Sequence, residues 1–133
     1  MKKTVFISHA SKDFKVASEI CRLLEERGVA CWIAPRDIPP SGSYGAEIAH
    51  AIDNCSVTLL LFTNHANASR AVANELELSF SKQKVIVPIR LKEVKPSSIL
   101  EFFISNAQWV DAFHTPLKTR IEEIIHIVQA IEQ

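Results

Sequence analysis

SVTLLLFT, residues Ser56–Thr63, is apolar on both faces of the strand it spells. Such a strand must be covered on each side, which is the situation of a central strand in a parallel sheet. Outward from it, short apolar runs alternate with helical patterns, with no internal repeat or low-complexity stretch. Upstream, Thr4–Ser8 (TVFIS) is a first strand. Ser11 is placed to cap a helix whose apolar positions Val16, Ile20, Leu23 and Leu24 keep helical spacing until Gly28 ends it. Val29–Ala34 is a second strand and Tyr44–Asp53 a second helix. Downstream, a loop over Asn64–Ser69 leads to a third helix, Arg70–Ser81. Lys84–Arg90 (KVIVPIR) is a fourth strand, in which Pro88 lacks a ladder donor and predicts a strand end or an exposed flank. Ser97–Ser105 is a short helix and Ala107–Val110 a fifth strand. The last helix, Pro116–Glu132, carries Ile121, Ile124, Ile125, Val128 and Ile131 on one stripe.

This alternation predicts an α/β fold: a flavodoxin-like, doubly wound, five-stranded parallel sheet of order 2-1-3-4-5, with helices on both faces and residues 1–133 forming one domain. In that order ligands bind where strands 1 and 3 diverge. The loops Ser8–Ser11, Pro35–Tyr44 and Thr63–Ser69, with the start of the third helix, are therefore expected to line a crevice.

Composition narrows the classes of function. The chain balances 15 basic against 15 acidic residues, so no net field argues for a nucleic-acid partner. Lys2-Lys3 and Lys82-Gln83-Lys84 flank strands and read as solvated strand ends. The cysteines, Cys21, Cys31 and Cys55, form no CxxC pair and fall in apolar surroundings, as buried thiols do. Lys2-Lys3 precedes too short an apolar run for a signal peptide, and no apolar stretch approaches the ~20 residues that span a bilayer. A cytoplasmic protein without membrane contact is expected.

Several chemistries are excluded by pattern. No GxGxxG or GxxxxGK[ST] follows a strand, and the first and third strands end at Ser8-His9 and Thr63-Asn64 without the carboxylates of a phospho-acceptor. His9, His50, His65, His114 and His126 lack metal-ligand spacing, so no metal is expected. Glu75 and Glu77 have no partner at helical ion-pair spacing. Val72, Leu76 and Phe80 define a core stripe, with the two glutamates about 100° to either side of it. Periodicity does not choose between them, and an unpaired helical glutamate is ordinarily solvated.

CWIAPRDIPPSGSYGAEIAHAI, Cys31–Ile52, holds a loop of prolines and Gly42 that is long for so small a domain unless it touches something. With FISHASKDF at Phe6–Phe14 and AVANELELSF at Ala71–Phe80, it resembles the BB loop and flanking motifs of a Toll/interleukin-1 receptor (TIR) domain of the bacterial type, over nearly the whole chain. The resemblance implies an NAD+ glycohydrolase that releases nicotinamide and ADP-ribose or a cyclic ADP-ribose isomer, is activated by self-association, and serves signalling or antiviral defence. NAD+ is then substrate and no cofactor is implied. In the family's W-V-x-x-E pattern, Val72 and Glu75 match and Ala71 stands in place of the tryptophan, which assigns Glu75 as the catalytic carboxylate and leaves Glu77 on the surface.

One carboxylate suffices in principle, because nicotinamide leaves a cationic pyridinium as a neutral amide. The site must supply negative charge to the ribosyl oxocarbenium ion and hold the ribose hydroxyls. Tyr44 matches an aromatic position facing the nicotinamide, or packs against the loop. Ser8, His9, Ala10 and Ser11 lead to a helix N-terminus that faces a diphosphate, or only caps the helix. Arg36 and Asp37 contact ligand, or pair with each other. Trp32 and Trp109 read as core. Pro35, Ile38, Pro39, Pro40 and Gly42 form the self-association loop, for which the partners are other TIR domains and a sensor or effector domain elsewhere. The alternative is a non-catalytic TIR–TIR interaction module in signalling.

Overall fold

The computed structural model describes residues 3–132; Lys2 lies outside them. Its sheet has five parallel strands in the order β2-β1-β3-β4-β5. The strands are β1 (Val5–Ser8), β2 (Cys31–Trp32), β3 (Val57–Phe62), β4 (Val85–Arg90) and β5 (Val110–Asp111). The helices are α1 (Phe14–Glu26), α2 (Tyr44–Asn54), α3 (Asn64–Asn67), α4 (Arg70–Ser81), α5 (Ser98–Ile104) and α6 (Leu117–Glu132). Every residue of β3 is buried, as a strand between two helical layers must be. α1 and α6 cover one face over a core that includes Ile7, Leu24, Leu59, Val87 and Ile124. On the other face α4 and α5 pack over Leu60, Phe62 and Ile86, while α2 packs over Phe6 and Trp32, whose rings stack 5.3 Å apart.

Gly28 ends α1 as its position predicts. At φ +85° it occupies the left-handed region, while Gly28 N donates to Glu25 O and Val29 N to Leu24 O, which satisfies the last carbonyls. The start of α1 differs from expectation. Ser11 opens a 3-10 turn over Ser11–Asp13 and caps nothing with its side chain, and α1 begins only at Phe14. Asp13 is drawn off instead, accepting a 2.5 Å hydrogen bond from Thr63 Oγ1.

Four other expectations need correction. The edge strand β2 pairs over Cys31–Trp32 alone, because Ile33 N donates to Asp37 Oδ2 at 2.9 Å and leaves the ladder. The segment Asn64–Ser69 holds the short helix α3, capped by Thr63 Oγ1 accepting from Ala66 N. β5 starts three residues later than the pattern suggests. Ala107 N and the Trp109 indole both donate to Ile104 O, so this stretch closes α5 rather than extending the sheet. Pro88 is buried inside β4, neither at its end nor exposed. Leu91 N donates to Phe62 O, and Arg90 O accepts from Ala112 N. By alternation Pro88 faces the β5 side, before the β4–β5 register opens at Ile89–Val110, so its missing donor interrupts nothing.

All three cysteines are buried. Among the described residues no helix is long and apolar enough to cross a membrane, and no group of three or more His, Cys, Asp or Glu side chains could hold a metal ion.

Candidate active site

The loops leaving β1 and β2 and the first turns of α4 enclose a cavity of about 450 Å³. His9, Ser11, Pro35, Tyr44, Ala71 and Glu75, all singled out in the sequence, line it together with Phe14, Ala34 and Ser69, which were not. A smaller hollow of about 220 Å³ lies between α2 and α4, with Gly45, Ile48, Asn74 and Leu78 in its wall. Tyr44, Ala71 and Glu75 border both.

Packing settles what periodicity left open on α4. The face toward the sheet runs through Val72, Glu75, Leu76 and Ser79, which are all buried. Phe80, expected on that stripe, is 49% exposed and leans on Phe102 and Phe103 of α5, with ring centroids 5.5 and 5.6 Å away. The buried face is thus rotated toward Glu75, whose surface is only 9% exposed, while Glu77 points to solvent. Ser79 Oγ explains part of the rotation: it bonds Thr58 Oγ1 of β3 at 2.7 Å and donates to Glu75 O at 2.8 Å.

Glu75 is accordingly not a solvated helical glutamate. Burial pushes its carboxyl up to about 7 from an ordinary 4.5, opposed by a hydrogen bond from Ser8. That bond is 2.7 Å long, from Ser8 Oγ to Glu75 Oε1. Ser8 ends β1 with none of its surface exposed, so its hydroxyl faces Glu75 inside the protein rather than the open crevice. Ala10 is likewise buried.

His9 spans the two loops: its Nδ1 lies 2.8 Å from Ala10 O and its Nε2 3.1 Å from Ala34 O. Tyr44, the first residue of α2, is 57% exposed at the rim and plugs nothing. Ser69, the N-cap of α4, holds Val72 N through its own hydroxyl. An N-cap serine facing the crevice was readable from the helix start, whereas Phe14 and Ala34 carry no chemical signal that would single them out.

Arg36 and Asp37 are not brought to this cavity. Arg36 pairs with Glu25 at 2.9 Å and with Asp37 at 2.8 Å, and donates to Cys31 O. Asp37 holds Ile33 N, so the pair braces the base of the loop from the α1 side. The loop itself turns through Asp37 N to Ile33 O, Ile38 N to Pro35 O and Gly42 N to Pro39 O. Ile38, a member of the expected self-association loop, is half-buried against the core under α2 rather than presented to a partner, whereas Pro35, Pro39 and Pro40 are exposed. A Cβ at Gly42 would lie 2.8 Å from Glu47 Cγ, so glycine lets the loop close onto α2. Trp32 is buried, and Trp109 stands just before β5, edge-on to Phe62 and beneath the Arg90 guanidinium.

The parallel 2-1-3-4-5 sheet with a proline-rich loop after its edge strand is the frame on which comparison with known families bears. The family model described as TIR domain matches residues 5–125, and the chain belongs to that family. Among solved structures, the TIR domain of the Toll-related receptor TRR-2 from Hydra magnipapillata superposes with a TM-score of 0.79 at 18% identity, covering 97% of this chain and 98% of that one. A metazoan TIR-STING receptor from C. gigas gives 0.68 at 21% identity, over 97% of this chain and 40% of that one. The CMP N-glycosidase BcmB of Clostridium botulinum gives 0.66 at 14%, over 94% and 99%. At these identities the likeness is one of fold. No curated protein sequence matches the chain.

Proposed function

We propose that this TIR domain is of the bacterial type and cleaves the nicotinamide–ribose bond of NAD+, releasing nicotinamide and ADP-ribose or a cyclic isomer, with self-association raising the rate. One observation carries the reading: among the described residues a single carboxylate, that of Glu75, is buried at the floor of a crevice, its side chain hydrogen-bonded only from Ser8. In a partly desolvated site its charge acts strongly on a cation formed nearby. The leaving nicotinamide needs no proton, so a site with one carboxylate and no second acid is adequate for this bond. That a CMP N-glycosidase shares the fold supports N-glycosidic chemistry on such a frame. Tyr44 offers an exposed aromatic face beside Glu75 for the nicotinamide ring, and Ser11 and His9 line the part of the cavity available to the rest of the dinucleotide. Arg36 and Asp37, paired with each other and with Glu25 away from this cavity, are given no contact with the dinucleotide in this reading.

The test is chromatographic. Concentrated protein incubated with NAD+ is expected to produce nicotinamide in step with NAD+ loss, and Glu75→Gln to lower the rate by ~10²–10³-fold, the scale of losing one electrostatic contact to a transition state. Absence of turnover at every protein concentration would leave a non-catalytic interaction module as the better reading.

A further inference from the structure

Ser8 was expected at the diphosphate, but its hydroxyl is fully buried and committed to Glu75. Both ends of that contact are fixed. Ser8 sits in the β1–β3 ladder opposite Leu60, and α4 is tied to β3 by the Thr58–Ser79 bond. We propose that Ser8 is a positioning residue, whose hydroxyl fixes the Glu75 carboxylate in one orientation beside the crevice and selects its ionised form. This rests on the proposed glycohydrolase reading for its kinetic consequence, but not for its physical one.

The physical case stands on three observations. The contact is 2.7 Å, in the range of a hydrogen bond to a charged acceptor. It lies out of solvent, where such a bond is not diluted by competing water. No charged side chain substitutes for it: burial raises the Glu75 carboxyl and Ser8 alone lowers it. The titratable side chains that share the cavity are His9 from the β1 end and Tyr44 from α2, while α5 and β4 contribute none to its lining. Ser8 therefore sets how much of Glu75 is ionised near neutrality, and a reaction needing the carboxylate depends on it without Ser8 touching the substrate.

The experiment reads Glu75 directly. The carboxyl carbon of Glu75 is titrated by NMR in the wild-type domain, in Ser8→Ala and in Ser8→Thr, which keeps the hydroxyl and suits a strand. Ser8→Ala is expected to move the midpoint upward by about one pH unit, as loss of a charged hydrogen bond implies, and Ser8→Thr to restore it. In NAD+ turnover the acidic limb of the rate–pH profile moves by the same amount, so a fixed pH below the limb shows about a tenfold slower rate with KM unchanged. An unmoved Glu75 midpoint in a folded Ser8→Ala domain overturns the proposal, whether or not the domain turns over NAD+. So does a rise in KM with no shift of the limb, which would return Ser8 to substrate binding. A moved midpoint without any turnover keeps the Ser8–Glu75 coupling and removes the glycohydrolase reading instead.

Discussion

Glu75 owes its character to burial. Among the described residues no cation offsets its burial, so the folded protein holds its proton to about 7 while the unfolded chain releases it near 4.5. Between those values the folded state binds more protons than the unfolded one, so stability declines as pH rises through this window and levels off above it. The span corresponds to roughly 3 kcal/mol. Glu75→Gln keeps the shape and a polar group for Ser8 but cannot ionise. Its melting temperature is expected to exceed wild type above pH 7, and the decline between pH 4.5 and 7 to vanish; parallel pH profiles for the two proteins would contradict this. Turnover is expected to run the opposite way, rising with pH through about 7 because the carboxylate is the working form. Tyr44 has a simpler test. Its exposed ring is proposed to act through its face, so Tyr44→Phe should keep the rate and Tyr44→Ala should lose about tenfold or more, the ~1–3 kcal/mol of stacking a base on an aromatic. Equal kinetics for all three would show that the ring has no part in binding.

α4 shows where sequence reading stops. Its limits, Arg70–Ser81, follow from the sequence pattern, but its rotation about its own axis does not. Phe80 has the hydrophobicity of a core residue, yet it meets the aromatic side chains of α5, and a polar residue, Ser79, takes the sheet-facing position. That exchange needs Thr58 at the matching point of β3, a pairing 21 residues apart that no periodicity can display. Resemblance to a family chose Glu75 over Glu77, and packing buries Glu75 while leaving Glu77 exposed. β2 and β5 fall short of their apolar runs for a related cause: Asp37 takes Ile33 N at one edge, and Ile104 O gathers the chain before β5 at the other. The Thr58–Ser79 contact is testable as a cycle. Ser79→Ala leaves a buried Thr58 hydroxyl without its partner and is expected to cost about 1–3 kcal/mol. Adding Thr58→Val removes the orphaned group and should recover much of that loss in chemical denaturation. Additive penalties would mean that the two hydroxyls are not coupled and do not set the rotation of α4.

At the scale of the whole molecule, the strand order was legible because a strand apolar on both faces, flanked by alternating elements, leaves few parallel arrangements. The crevice followed from that order, whereas its filling, with Ser8 turned inward and Arg36 turned away, depends on side-chain contacts between distant elements. The loop over the crevice bears on assembly. Arg36, Asp37 and the half-buried Ile38 are engaged within the domain, and the exposed prolines of the loop are Pro35 at its base and Pro39 and Pro40 at its middle. Prolines have little conformational freedom to lose when a partner covers them, and a chain with zero net charge does not repel its copies. Specific activity is therefore expected to rise with protein concentration. Ile38→Asp is a poor probe, since it would also put a charge against the apolar cluster under α2. Pro39→Asp with Pro40→Asp changes only exposed positions, and is expected to flatten the concentration dependence while the melting temperature stays within a degree or so, as surface substitutions usually allow. Rate per molecule measured over a hundredfold dilution decides the matter. A flat profile for the wild type, matched by the double variant, would identify the loop as a lid on its own crevice and the domain as catalytically self-sufficient.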